Sequence, residues 1–202
     1  MKSAQLPRKK PQQQRSQAMV EAILDAATES FCAGGFAGTT TNAIAERAGV
    51  SIGSFYQYFP NKLALLEALR ERHVRGLWEK IGAACDEVGA RPLPEAIRHI
   101  IAQCSAYNAP HVALLATMHR ALPIHSHRAD GMILAQATLQ QKLKTFLEGH
   151  RDSIKVSIDQ ALFMIPALGR GIFTAASIEQ PEVVKNERLI NDVVSAILGY
   201  LT

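Results

Sequence analysis

The sequence predicts an all-α protein: an N-terminal unit of three helices, then a larger helical domain. Three observations carry that prediction. Apolar residues recur at i, i+3 and i+4 along most of the chain, the spacing of one helix face. Leu, Ala and Ile dominate, and no alternating run of Val, Thr and aromatic residues marks a strand. Glycines, prolines and cap-forming Ser, Thr, Asn and Asp punctuate the periodic segments at helix lengths.

Taken in order, residues 1–15 hold two prolines, four glutamines and five basic residues with no acidic one. That composition describes a flexible basic arm. Its Arg8, Lys9 and Lys10 either follow a nucleic-acid backbone or simply keep a tail solvated. Ser16 to Cys32 is amphipathic, with Val20, Ile23, Leu24, Ala27 and Phe31 in one stripe. Gly34 and Gly35 end it, and Thr39 or Thr40 can cap the next helix. Asn42 to Ala48 reads as a short helix with Ile44, Ala45 and Ala48 on one face. Gly49 stops it, because a glycine past the last periodic residue accepts the left-handed backbone. Ser51 caps a second short helix, Ile52 to Tyr58, and Val50 looks buried. Two short helices around a tight glycine turn form the helix-turn-helix pattern, whose second helix enters a DNA major groove.

Pro60 and Asn61 open a long helix from Lys62 to about Ala84, which acts as a connector over residues 63–90. Gly89 to Pro94 punctuates the chain. Beyond it, Pro94 to Ser105 and His111 to Leu122 are apolar helical segments, and Pro123 to Arg128 is a polar break. Asp130 caps a helix to Glu148 that Gly149 closes. Ser153 is expected to cap a helix through Ala176, kinked at Pro166 where a backbone bond is lost. Pro181 to Leu201 forms the last helix. Its Leu189, Ile190, Val193, Val194, Ile197 and Leu198 make a broad apolar face that, with that of Ile154 to Ala176, one small domain cannot hide, which points to a four-helix dimer interface of two helices from each subunit.

The run Thr39-Thr40, Ile44-Ala45, Ala48-Gly49-Val50-Ser51, Gly53, Phe55-Tyr56, Tyr58-Phe59 and Lys62 closely resembles the N-terminal domain of TetR-type (TetR/AcrR) transcriptional regulators. The resemblance covers roughly residues 16–65, about a quarter of the chain. It implies a helix-turn-helix DNA-binding domain at 16–62 and a ligand-binding and dimerisation domain at 91–202. It also implies a homodimer on a near-palindromic operator in double-stranded DNA, acting as a cytoplasmic repressor released by a small-molecule effector. The rival from another class is a helical scaffold or adaptor that binds a protein partner through its C-terminal helices.

On the second short helix, Ser51, Ile52, Gly53, Ser54 and Gln57 are positioned for base edges. Gln57 suits adenine, the serines suit several bases, Ile52 suits a thymine methyl, and Gly53 permits close approach. Thr40, Thr41, Tyr56, Tyr58 and Lys62 are candidates for phosphates. The resemblance gives the matching tyrosine and lysine that backbone-contacting role. An effector cavity among the middle helices is assigned to Tyr107, Met118, His119, Phe163, Met164 and Phe173, which are bulky, soft or aromatic and mostly lie near Pro166.

Charge supports the N-terminal assignment. Residues 1–75 carry ten Lys/Arg against six Asp/Glu, whereas residues 76–202 carry twelve of each. The whole surplus of +4 therefore sits with the helix-turn-helix, as phosphate binding requires. Three cysteines without CxxC spacing argue against a disulfide framework or a zinc ribbon. His125 and His127 form an HxH without a carboxylate or cysteine at ligand spacing, so exposed loop histidines are expected rather than a metal site. No carboxylate pair, metal box or nucleotide loop stands out, so neither catalysis nor a cofactor is expected. The polar start lacks a signal-peptide core. Ile154 to Ala176 is apolar but holds Lys155, Asp159, Arg170 and Pro166, which predicts a buried helix and no membrane span.

Overall fold

The computed structural model describes residues 14–122 and 130–202. The basic arm with Arg8, Lys9 and Lys10, the Pro123 to Arg128 break and the HxH at His125 and His127 lie outside the described residues, as does the Asp130 side chain. Every described element is helical. The α-helices are α1 (Gln14–Gly38), α2 (Thr41–Arg47), α3 (Ile52–Tyr58), α4 (Lys62–Glu87), α5 (Leu93–Asn108), α6 (Val112–Ala121), α7 (Asp130–Gly149), α8 (Ile158–Glu179) and α9 (Glu187–Leu201). Described residues 14–73 and 113–122 form one compact unit, and residues 74–112 and 130–202 form a second.

In the first unit, α1 buries the stripe its sequence announces, with Ile23, Leu24, Ala27 and Phe31 almost fully enclosed. Gly35 at φ 64° interrupts the helix, and one further turn carries the chain to Gly38. The core also takes Ile44 and Ala45 from α2, Phe55 and Tyr58 from α3, and Leu65, Leu66 and Leu69 from α4. It then takes Leu114, Met118 and Leu122 from α6 and the residue after it. The α6 segment thus belongs to the N-terminal unit, although about forty residues of the second unit precede it. Sequence order had grouped it with the domain at 91–202.

In the second unit, α5 packs along α9. Ala96, Ile97, Ile100, Ile101 and Cys104 on α5 share a core with Ile190, Val193, Val194, Ile197 and Leu201 on α9. Burying each large aliphatic side chain contributes about 1.5–3 kcal/mol before conformational entropy is counted. Arg98 reinforces the pair by donating to Glu187 at 2.6 Å and to Asn191. Ser105 Oγ donates to the Val184 carbonyl at 2.6 Å and ties down the 3₁₀ turn before α9.

Three sequence expectations change here. Ser157, not Ser153, caps α8, accepting from the Gln160 amide. Residues 151–153 form a 3₁₀ turn and Ile154 is extended, with the Lys155 amide donating to the Leu201 carbonyl at 2.7 Å. The last helix starts at Glu187 behind an Asn186 cap, because Pro181–Lys185 is a 3₁₀ turn. Finally, α8 is not a buried helix. It runs unbroken through Pro166, reaches a mean hydropathy of 1.5, and only 22% of its most apolar window is buried. Lys155 lies upstream of it, so by length and composition alone α8 could cross a membrane, contrary to the sequence reading.

Candidate nucleic-acid interface

The helix-turn-helix is built from caps that the sequence supplies at each end. Thr40 adopts an extended backbone and its Oγ1 accepts from the Ala43 amide at 3.2 Å, which starts α2. At the other end the Gly49 amide donates to the Glu46 carbonyl and the Val50 amide to the Ala45 carbonyl, each at 3.0 Å. Those two bonds, with Gly49 at φ 68°, make the Schellman termination. Ser51 then caps α3 by accepting from the Ser54 amide at 3.0 Å. Asn61 Oδ1 accepts from the Ala64 amide at 2.8 Å and starts α4.

Phe55 is fully buried and meets Tyr56 edge-on at 5.4 Å and Phe59 at 5.9 Å. The opposite face of α3 is open. Ser51, Ile52, Gly53 and Gln57 are exposed and Ser54 is half-buried. Gly53 and Gln57 share a face at i, i+4, so a side chain able to read adenine sits beside a position with no side chain. Ser51 and Ser54 are less free than the sequence suggests, because their hydroxyls bond to one another at 2.9 Å.

Among the phosphate candidates, the structure brings Thr41 and Tyr56 together, with Thr41 Oγ1 and Tyr56 Oη 3.0 Å apart. One hydroxyl donates and the other keeps its proton for an outside acceptor such as a phosphate oxygen. Thr40 accepts the capping bond and likewise keeps its proton. Tyr56 is 44% exposed, as an outward role requires. Tyr58 is not: it is 7% exposed and sits in the core of the unit. The reason is helical register, since position 58 follows Phe55 by three residues and faces the same way. The Tyr58 ring therefore packs in the core. Lys62 is half-buried, and its ammonium bonds to carbonyls of the chain itself. Thr39, which the sequence offered only as a cap, is buried; its hydroxyl lies 2.8 Å from the Gly35 carbonyl and 3.0 Å from that of Ser30.

The residues assigned to an effector cavity are divided between the two units. Met118 is buried in the first unit's core and His119 lies exposed on that unit. In the second unit, the Tyr107 and His111 rings meet at a tilt with centres 5.7 Å apart, and Phe173 is a core residue. Phe163 is 72% exposed and, with Met164, borders a surface hollow beside Val156, Asp159, Gln160 and Tyr200. A different, partly open cavity of about 30 Å³ does exist in that unit. It is lined by Ile97, Ile100 and Ile101 of α5, Leu143, Phe146 and Leu147 of α7, Ala161, Leu162, Ile165 and Pro166 of α8, and Ile197 of α9. The Pro166 clue pointed to this region; the aromatic and histidine clues did not. The proposed interface of α9 also changes. Ile190, Val193, Val194 and Ile197 are at most 9% exposed inside the single chain, and only Leu189 and Leu198 are partly open. The packing of α5 hides a face that the sequence reading judged too wide. Among the described residues, no three His, Cys, Asp or Glu side chains gather as a metal site would need.

Comparison with known proteins gives the same picture. The sequence model of "Bacterial regulatory proteins, tetR family" matches residues 23–69, and that of "Tetracyclin repressor-like, C-terminal domain" matches residues 92–201. The HTH-type transcriptional repressor KstR of Mycolicibacterium smegmatis is 39% identical over 64 residues, 32% of this chain. The HTH-type transcriptional regulator BetI of Burkholderia thailandensis is 39% identical over 56 residues, 28% of this chain. The matched part spans 29% of the length of each of these two relatives. Among solved structures, SmeT, the repressor of the Stenotrophomonas maltophilia multidrug efflux pump SmeDEF, superposes with a TM-score of 0.63 at 25% identity, covering 92% of this chain and 91% of its own. Bacillus subtilis FadR in complex with stearoyl-CoA superposes with a TM-score of 0.66 at 21% identity, covering 90% and 99%. With a C-terminal match that spans more than half of its length, the chain belongs to the TetR family of transcriptional regulators.

Proposed function

We propose that this regulator represses transcription by binding operator DNA as a homodimer and lets go when a small apolar molecule enters its second unit. The observation that carries the DNA reading is the exposed face of α3, Ile52, Gly53 and Gln57, flanked by the Thr41–Tyr56 hydroxyl pair on one compact unit. Base-reading and phosphate-binding groups thus stand side by side, as groove binding requires. Two copies related by a dyad would read half-sites about 34–36 Å apart or somewhat more.

Support for the dimer now rests on α8, one of the two helices that the sequence put at the interface, more than on α9. Most of that apolar helix lies at the surface of the chain, with Phe163 protruding beside Met164 and Tyr200. An apolar helix face of that size marks an association site, and a second copy's α8 supplies the matching surface. The effector reading rests on the small cavity at Pro166, whose lining is wholly apolar. At about 30 Å³ it holds little more than water, so a ligand must displace α8 side chains on entering. That SmeT represses an efflux-pump gene set and FadR binds stearoyl-CoA agrees with an apolar effector. A ligand that binds one arrangement of the dimer better shifts it off DNA by that difference in affinity.

The test is retention of genomic fragments by the purified protein as salt is raised. Sequence-selective binding that weakens steeply with salt is expected. Uniform or absent retention at low salt would overturn the reading.

A further inference from the structure

His150, the half-buried residue after α7, has a backbone carbonyl in front of each ring nitrogen. Nδ1 lies 2.8 Å from the Phe146 carbonyl, and Nε2 lies 2.9 Å from the Arg91 carbonyl in the turn between α4 and α5. A carbonyl oxygen only accepts, so each bond needs a proton on its nitrogen. Neutral imidazole carries one such proton and imidazolium two. Two further features favour the charged ring. It stands at the C-terminal end of α7, where the last carbonyls lack intrahelical partners and the helix dipole attracts a cation. Its centre also lies 4.7 Å from that of the Phe146 ring, within the range of a cation–π contact. Phe146 and Leu147 line the cavity at Pro166, and the His150 amide donates to the Leu147 carbonyl at 3.1 Å. One residue thus ties the α7 wall of the cavity to the α4–α5 turn, all within the second unit.

Most charged side chains on the segments that meet at His150 are engaged with other partners. On α7, Lys144 and Glu148 pair at 3.9 Å. At the end of α4, Asp86 holds Lys142, and Glu87 holds His99 of α5 at 2.9 Å. Arg151 donates to the Ile154 and Val156 carbonyls. Arg91, Glu95 and Asp152 complete the set and bring two negative charges against one positive.

We propose that His150 is a proton-operated clasp on the effector cavity, which makes a proton the second ligand of this regulator. The imidazolium makes both bonds and holds the wall. The neutral ring keeps one bond, and its other nitrogen turns a lone pair toward a carbonyl oxygen. A cavity of about 30 Å³ must widen to admit a ligand, so entry is easier with the ring neutral. By reciprocity, an apolar ligand that binds the loosened form expels the proton. The proposal rests on the effector reading above.

Urea unfolding and naphthalene binding, each at pH 6 and pH 8, test it on full-length wild type, His150→Gln and His150→Arg. Folding that takes up a proton at His150 gives the wild type its greatest lead in unfolding midpoint over His150→Gln at pH 6, and the lead shrinks toward pH 8. Taking the difference between the two proteins cancels what His99 and the other histidines contribute. Naphthalene has no group that titrates, and its fluorescence reports binding. Wild type is expected to bind it about tenfold more weakly at pH 6 than at pH 8, the worth of one charge-assisted hydrogen bond, and His150→Gln should bind alike at both. His150→Arg, permanently charged, should bind at pH 8 as weakly as wild type does at pH 6, and it answers if His150→Gln does not fold. A midpoint lead that stays constant or grows with pH would overturn the proposal, as would naphthalene binding whose pH dependence survives either substitution. Naphthalene binding at neither pH would remove the effector reading, and with it the clasp on its cavity, even where the midpoint lead shrinks as expected.

Discussion

Replacing Tyr58 by alanine removes a ring that is 7% exposed and packed in the core with Phe55 and Phe59. A buried aromatic covers at least about 150 Å², which at about 25 cal/mol per Å² corresponds to about 4 kcal/mol. That lies within the 3–5 kcal/mol, roughly, that aromatic-to-alanine changes cost in cores, and it is a large part of a total stability of about 5–15 kcal/mol. Tyr58→Phe keeps the ring and changes stability by no more than about 1.5 kcal/mol. Tyr56 behaves in the opposite way. It is 44% exposed, so Tyr56→Phe costs little stability but removes the hydroxyl paired with Thr41 and weakens DNA binding several-fold. Urea unfolding followed by circular dichroism, with fluorescence anisotropy on a bound duplex, reads both quantities. If Tyr58→Phe weakened DNA binding as much as Tyr56→Phe while leaving the unfolding midpoint in place, the burial argument would be refuted and Tyr58 would return to the phosphate set.

Other substitutions test other parts of the account. Gly49 sits at φ 68°, so Gly49→Ala should lower stability by about 1–2 kcal/mol in the same urea titration, although no neighbour stands in the way of a Cβ. Ile197→Ala should destabilise folding by about 2–5 kcal/mol at any protein concentration, because that side chain is buried within one chain. Phe163→Glu should leave the fold intact and shift sedimentation from dimer to monomer. Burial pushes the Cys104 thiol up to about 12, reinforced by Cys85, and burial pushes Cys85 up to about 11. At pH 8 both are almost wholly protonated and slow to react. A thiol reagent should therefore label the exposed Cys32 first, and the other two only on unfolding.

What the sequence made legible was local. Thr40, Ser51, Asn61 and Gly49 declare helix ends by chemistry that needs no tertiary partner, and the structure uses each where its residue type suggests. Tyr58 was chosen for its hydroxyl, whereas its register with Phe55 decides where the ring lies. Ser153 and Ser157 are equally good caps. What separates them is a backbone bond from Lys155 to Leu201, nearly fifty residues away, which no local pattern records. The placement of α6 is non-local in the same way: only its share in the core that also holds Ile23, Leu24 and Leu66 assigns it to the first unit. The face of α9 looked too wide because the sequence cannot show that α5 lies along it. The cavity, too, is defined by four helices whose lining side chains are unremarkable one at a time.

The central claim is that the open face of α3 reads bases while its flanks hold phosphates. Selection of duplexes from a fully randomised pool by wild-type protein and by Gln57→Ala tests it most directly. The account predicts that wild type enriches a near-palindrome, and that Gln57→Ala relaxes preference at symmetric positions in the two half-sites while keeping the salt slope. Enrichment of no sequence by the wild type, or an unchanged preference in Gln57→Ala, would contradict it.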